Sequence, residues 1–190
     1  MGTFIKDIFG LMALNAEEIY YYEKYSVAIS SLIILFIGIA FQLTKPILAT
    51  SAIAGFTFSI TFNFLIFIIA VLFLRLWLKI KAVSVSFSTL YSLTTLASVV
   101  DILIPAIDGL SIWLELPILS VLSAAVFIYS LIIMVSALSK GANISIGFAL
   151  SGLLLGTVLL MILSMVIMTL GMAAGILLPP DNFAVGMGGL

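Results

Sequence analysis

Ser84, Ser88, Tyr91, Thr95 and Ser98 follow one another at steps of four, three, four and three, and so share one face of a helix; Asp101 comes three residues later. A row of hydroxyls leading to a carboxylate has the chemistry of a polar pathway for a solute, an ion or a proton. The commoner use of such hydroxyls is structural, bonding the carbonyls of their own helix or bridging to a neighbour inside a membrane bundle. The 19 residues ahead of Asp101, Ala82 to Val100, are uncharged, which lets that helix end at the surface with Asp101 in water. No second carboxylate or base is expected on the same face inside the membrane, so an acid–base pair is not expected.

Two further rows lie near the C-terminal end. Met161, Met165, Met168 and Met172 form a thioether stripe that could attract a soft ion such as Cu(I), but a chain with no Cys and no His has nothing to pass the ion to. Adaptable packing against another helix is the expected use. Gly152-x-x-x-Gly156 and Gly171-x-x-x-Gly175 are spaced for close approach of a second helix. The same lack of Cys and His removes zinc-protease, haem and most metal chemistry, and no phosphate-binding glycine loop or nucleophile elbow is present. Neither an enzyme nor a cofactor is expected, and no basic patch suits nucleic acid.

The elements that must position these residues follow from hydropathy. Only 8% of the 190 residues are charged and 64% are hydrophobic, too little polar surface for a soluble globule of this size. The pattern predicts an all-α, polytopic membrane bundle with five spans, at about 26–43, 47–74, 82–100, 117–138 and 144–170, the last with an outer extension toward Leu178. The second holds 28 residues, roughly 42 Å of helix, and its alternating "GFTFSITFNF" is read as helix because an open strand edge in lipid leaves backbone groups unpaired. Residues 1–25 read as an amphipathic interfacial segment with Thr3 as cap and Tyr20, Tyr21, Tyr22 and Tyr25 as an aromatic belt. No cleavable leader is expected, since Lys6 and Asp7 interrupt the apolar run, and Lys6 weakens a myristoylation reading of Gly2. "DILIPAIDGLSIWLELP" reads as an irregular connection or short interfacial helix, Pro117 as the first turn of span four, and 179–190 as a short outer tail.

Charge then sets the orientation. Lys6, Lys24, Arg75, Lys79, Lys81 and Lys140 share one side and only Lys45 lies on the other; Asp101, Asp108, Glu115 and Asp181 join Lys45. The positive-inside rule puts the N-terminus in the cytoplasm and the C-terminus outside. Arg75, Trp77, Lys79 and Lys81 of "RLWLKIK" are expected as topology anchors, with Trp113 anchoring the opposite interface.

Two segments, "KIKAVSVSFSTLYSLTTLAS" and "VFIYSLIIMVSALSKGANISIGFALSGLL", resemble the Yip family of five-span, Ypt-interacting membrane proteins, the first in its basic turn and Ser-Phe opening of span three, the second in its polar turn and small-residue opening of span five. The resemblance spans roughly residues 1–170; the prolines that members carry in the N-terminal segment and span three are missing, with none before Pro46. It implies a non-enzymatic scaffold, which in eukaryotic members serves vesicle traffic and membrane shaping with small GTPases. The short N-terminus offers little soluble surface for a GTPase, and the composition points to a prokaryotic plasma membrane. The leading expectation is a membrane scaffold acting through lipids and other membrane helices, as homo-oligomer or in a complex. A small-solute or ion transporter or channel subunit using the hydroxyl face and Asp101, or an accessory subunit of a larger complex, are the alternatives.

Overall fold

A computed structural model describes residues 2–44, 47, 49–116 and 118–178. Lys45, Pro46, Pro117, Asp181 and the tail 179–190, each given a role by the sequence reading, lie outside the described residues. The chain is all-α, and among the described residues no strand forms. Its helices are α1 (Gly2–Met12), α2 (Val27–Thr44), α3 (Ala52–Lys79), α4 (Phe87–Ala97), α5 (Leu103–Leu114), α6 (Ile118–Gly141) and α7 (Ile146–Ala173). Five stretches are long and apolar enough to cross a membrane: α2, α3, the α4–α5 run Phe87–Leu114, α6 and α7. The protein is thus a multi-span integral membrane helical bundle.

Hydroxyl caps fix several starts. Ser51 accepts from the Ala54 N–H, Ser86 from Thr89 and Ser145 from Phe148, so α3, α4 and α7 each begin one residue after a serine. The second span therefore starts at Ala52 rather than at residue 47 and absorbs Arg75 and Lys79 into its last turns. Gly175 ends α7 in the left-handed conformation (φ +69°), with the Ile176 N–H returned to the Gly171 carbonyl and the Gly175 N–H to Met172. Beyond it the chain folds back: Leu177 packs on Gly171, and Ala49 and Leu177 make one antiparallel bridge that ties the loop after α2 to the end of α7.

The central helix is α4–α5. In its most apolar 18-residue window 61% of residues are buried, against 6 to 22% in the other four spans. Helices α2, α3 and α6 pack against it, α7 packs on α3 and α6, and the outer faces of these four spans are left to lipid.

The N-terminal segment departs from the expected interfacial strip. Helix α1 starts at Gly2, so Thr3 lies inside it and does not cap. Leu11, Ile19 and Tyr22 are among the most buried residues, Tyr22 at 1% exposure, and Tyr22 belongs to the core rather than to a headgroup belt; Tyr20 and Tyr21 stay exposed. The segment closes over the basic end of the bundle because its apolar face finds the ends of α4 and α6 there. Asp7 binds it together, pairing with Lys24 at 2.6 Å and accepting from Tyr21 Oη at 3.0 Å and from Tyr25 Oη.

A candidate intramembrane carboxylate site

The central helix is not cut at Asp101. Leu103–Leu114 is helical, and the connection expected over residues 101–117 is replaced by a continuous run with one 3₁₀ turn, Ser98–Ile102, in its middle. The cause is Pro105. Proline has no N–H, and its ring crowds the carbonyl four residues back, here that of Asp101. The ladder tightens instead, and the Leu103 N–H reaches back to the carbonyls of Asp101 and Val100. Asp101 therefore stands at the fifteenth of the 28 residues of Phe87–Leu114, near mid-span and not at its surface.

Continuity also brings in a second acid, against expectation. Asp108 lies seven residues after Asp101, two helical turns or roughly 10 Å on, and faces the same side. The antiparallel neighbour α6 repeats the interval with Ser130 and Ser123. Ser123 Oγ donates to Asp108 Oδ1 at 2.5 Å, and Asp108 is buried. The hydroxyls of Ser130 and Ser98 stand against the Asp101 carboxyl, whose Oδ1 is buried with no hydrogen-bond partner among the described residues. The hydroxyl of the fully buried Thr95, one turn further toward the basic end, also has none. Residues 82–139 contain no Lys, Arg or His, so Asp101 has no cationic side chain in its own helix or in α6 before Lys140.

The five-hydroxyl row divides. Ser84 lies in the loop before α4, where its carbonyl accepts from Tyr20 Oη at 2.9 Å; Ser88 pairs with Ser86 at 2.9 Å in the first turn. Tyr91 meets Ser31 of α2 at 3.1 Å, and the neighbouring face adds Ser92 on Ser30 at 3.2 Å. Those contacts are helix-to-helix bridges; Thr95 and Ser98 alone run on to Asp101. Ser123 and Ser130 escaped the sequence reading, which put Asp108 on the outer side and in no site, although a common seven-residue interval in consecutive segments carries their signal.

The glycine faces are used within the chain. A Cβ on Gly152 would overlap the Trp77 indole, and one on Gly156 would come within 3.1 Å of the Phe73 ring. Trp77 stacks between Phe73 and Phe148 and donates from Nε1 to the Phe148 carbonyl at 3.0 Å, so it packs α3 on α7 rather than standing free as an anchor. Gly171 receives Leu177, whereas a Cβ on Gly175 meets nothing within 4 Å; Gly175 ends the helix and packs no partner. At 100° per residue Met161 lies opposite Gly152, and Met161 and Met165 face outward at 55% and 64% exposure; Met168 and Met172 are partly buried. Arg75 donates from Nε to the Val85 carbonyl at 3.0 Å, Lys79 and Lys81 are exposed at the basic end, and Trp113 is 79% exposed near the far end of α5. Among the described residues no group of three His, Cys, Asp or Glu could hold a metal ion.

Comparison with protein-family profiles, with curated proteins and with solved structures finds no match to this chain.

Proposed function

We propose that this chain is a non-enzymatic membrane transport protein in which Asp101, backed by Asp108, takes up and releases a proton or a small monovalent cation. The observation that carries the reading is Asp101 near the middle of the central helix, with the hydroxyls of Ser98 and Ser130 against its carboxyl, its Oδ1 buried without a hydrogen-bond partner among the described residues, and no Lys, Arg or His in residues 82–139. A carboxylate removed from water without a counter-charge is strongly unfavourable, so such a group holds a proton, holds a cation, or meets penetrating water. The 3₁₀ turn at mid-span, with the hydroxyls of Ser98 and Ser130 beside it, also gathers side-chain oxygens of the kind that carriers offer to small cations.

The scaffold reading rested on the lack of a catalytic group together with the Gly and Met faces of α7; the aromatic side chains of α3 fill the Gly152 and Gly156 face, whereas Met161 and Met165 stay outward. The likeness to the Yip family is carried forward as a proposal about architecture, resting on the two segments quoted above. A prokaryotic plasma membrane and the cytoplasmic position of the basic end belong to the same proposal, the latter on the distribution of Lys and Arg.

The test is flux into liposomes containing the purified protein, read with a trapped pH dye and, separately, a sodium-sensitive dye. Wild-type protein is expected to pass one of the two ions, Asp101→Asn to pass neither, and Asp101→Glu to recover part of the flux. Undiminished flux through Asp101→Asn, or no flux of either ion through the wild type, overturns the reading.

A further inference from the structure

A second site lies at the opposite side of α6, away from the carboxylates. Between α6 and α7, beside their tight connection, lies an open groove of about 470 Å³ on the lipid-facing surface. Its walls are aliphatic, from Ile128, Ile132 and Val135 of α6 and Ile146 and Leu150 of α7, and the charged residue on it is Lys140, at the basic end. We propose that this groove binds one anionic phospholipid of the surrounding bilayer, with an acyl chain along the aliphatic walls and the phosphate on Lys140.

Size, charge and depth argue for that occupant. A membrane-crossing helix about 10 Å wide and 30 Å long fills roughly 2,400 Å³, several times what the groove offers, whereas one acyl chain is thin enough to lie in it. Lys140 is exposed and sits in the last turn of α6, where positive-inside orientation puts the anionic headgroups. Its ammonium already donates to the Leu14 carbonyl, and Ser136 Oγ donates to the same oxygen at 3.4 Å. That contact holds the side chain at the mouth and uses one of three N–H donors, leaving two for phosphate oxygens. Lys140 thus joins the N-terminal cap, the α6–α7 groove and the headgroup layer at one point.

The experiment is native mass spectrometry of the protein released from bilayers of equal phosphatidylglycerol and phosphatidylcholine. The wild type is expected to retain one phosphatidylglycerol in preference to phosphatidylcholine. Lys140→Ala is expected to lower that retention by roughly five- to tenfold, the weight of one basic contact at an anionic surface, and Lys140→Arg to preserve it. Because Lys140→Ala also frees the Leu14 carbonyl, Ile132→Trp is the second variant: it fills the groove, leaves Lys140 in place, and is expected to expel the lipid as well. Equal retention of the two lipids by the wild type, unchanged phosphatidylglycerol on Lys140→Ala and Ile132→Trp, or a second copy of the chain released by Ile132→Trp in place of lipid, each overturns the proposal. Ion flux is a separate readout, so failure here leaves the carboxylate reading standing.

Discussion

Gly152 shows how much one missing methyl group decides. The Trp77 indole lies where a Cβ would be, held by stacking on Phe73 and Phe148 and by its bond to the Phe148 carbonyl. The indole has no free space to retreat into without giving up those contacts, so overpacking applies in full. Gly152→Leu is expected to cost about 1–3 kcal/mol, seen as a lower unfolding temperature in detergent and loss of the Trp77 fluorescence shift. Met161→Leu, outward on the opposite face, is expected to stay within about 0.5 kcal/mol. An unaltered melting curve for Gly152→Leu contradicts the α3–α7 contact. The glycine spacing was legible in the sequence, but the partner was not: small residues announce that something comes close, and an aromatic row one turn apart on another span carries no label saying what it covers.

At the scale of elements, the central helix is where reading the sequence and folding it part company. Pro105, Gly109 and three acids within fifteen residues favour a connection locally, and local preference is all that a window reports. Packing overrides it, because α6 supplies hydroxyls at the interval that the acids need and because a 3₁₀ turn absorbs the proline. The five spans themselves were legible, since uninterrupted apolar runs have no other stable arrangement in lipid. The carboxylate pair was not, because it exists only if the helix continues. Pro105→Ala gives residue 105 an N–H that can reach the Asp101 carbonyl and relax the turn to α-helix. The variant is expected to be more thermostable by about 1 kcal/mol and to lose most of its flux, a trade expected where a site depends on a strained element. A variant that gains stability and keeps full flux separates the turn from the transport step.

For the molecule as a whole, the N-terminal cap is the part whose attachment depends most on one ionised group. Burial alone would push the Asp7 carboxyl up, but hydrogen bonds from Lys24, Tyr25 and Tyr21 outweigh it and hold the carboxyl below its ordinary value. Tyr25, pushed up to about 12 chiefly by its own burial and then by Asp7, stays a neutral donor throughout the physiological range. A carboxyl lowered on folding contributes stability that is complete above its unfolded value, about 3.9, and is lost as pH falls through the lowered one. The cap is therefore expected to be insensitive to pH between 8 and 5 and to loosen on acidification below about 4. Hydrogen exchange of residues 2–24, corrected for the intrinsic pH dependence of exchange, reads this directly: protection of α1 and of the Tyr22 turn should fall at pH 3 while α6 and α7 stay protected. Asp7→Asn should show the same local loss at neutral pH, because an amide keeps an acceptor for the tyrosines and gives up the charge that holds Lys24. Protection of residues 2–24 that is equal at pH 3 and pH 7 in the wild type, and unchanged in Asp7→Asn, means that the buried Leu11, Ile19 and Tyr22 hold the cap without help from the ion pair.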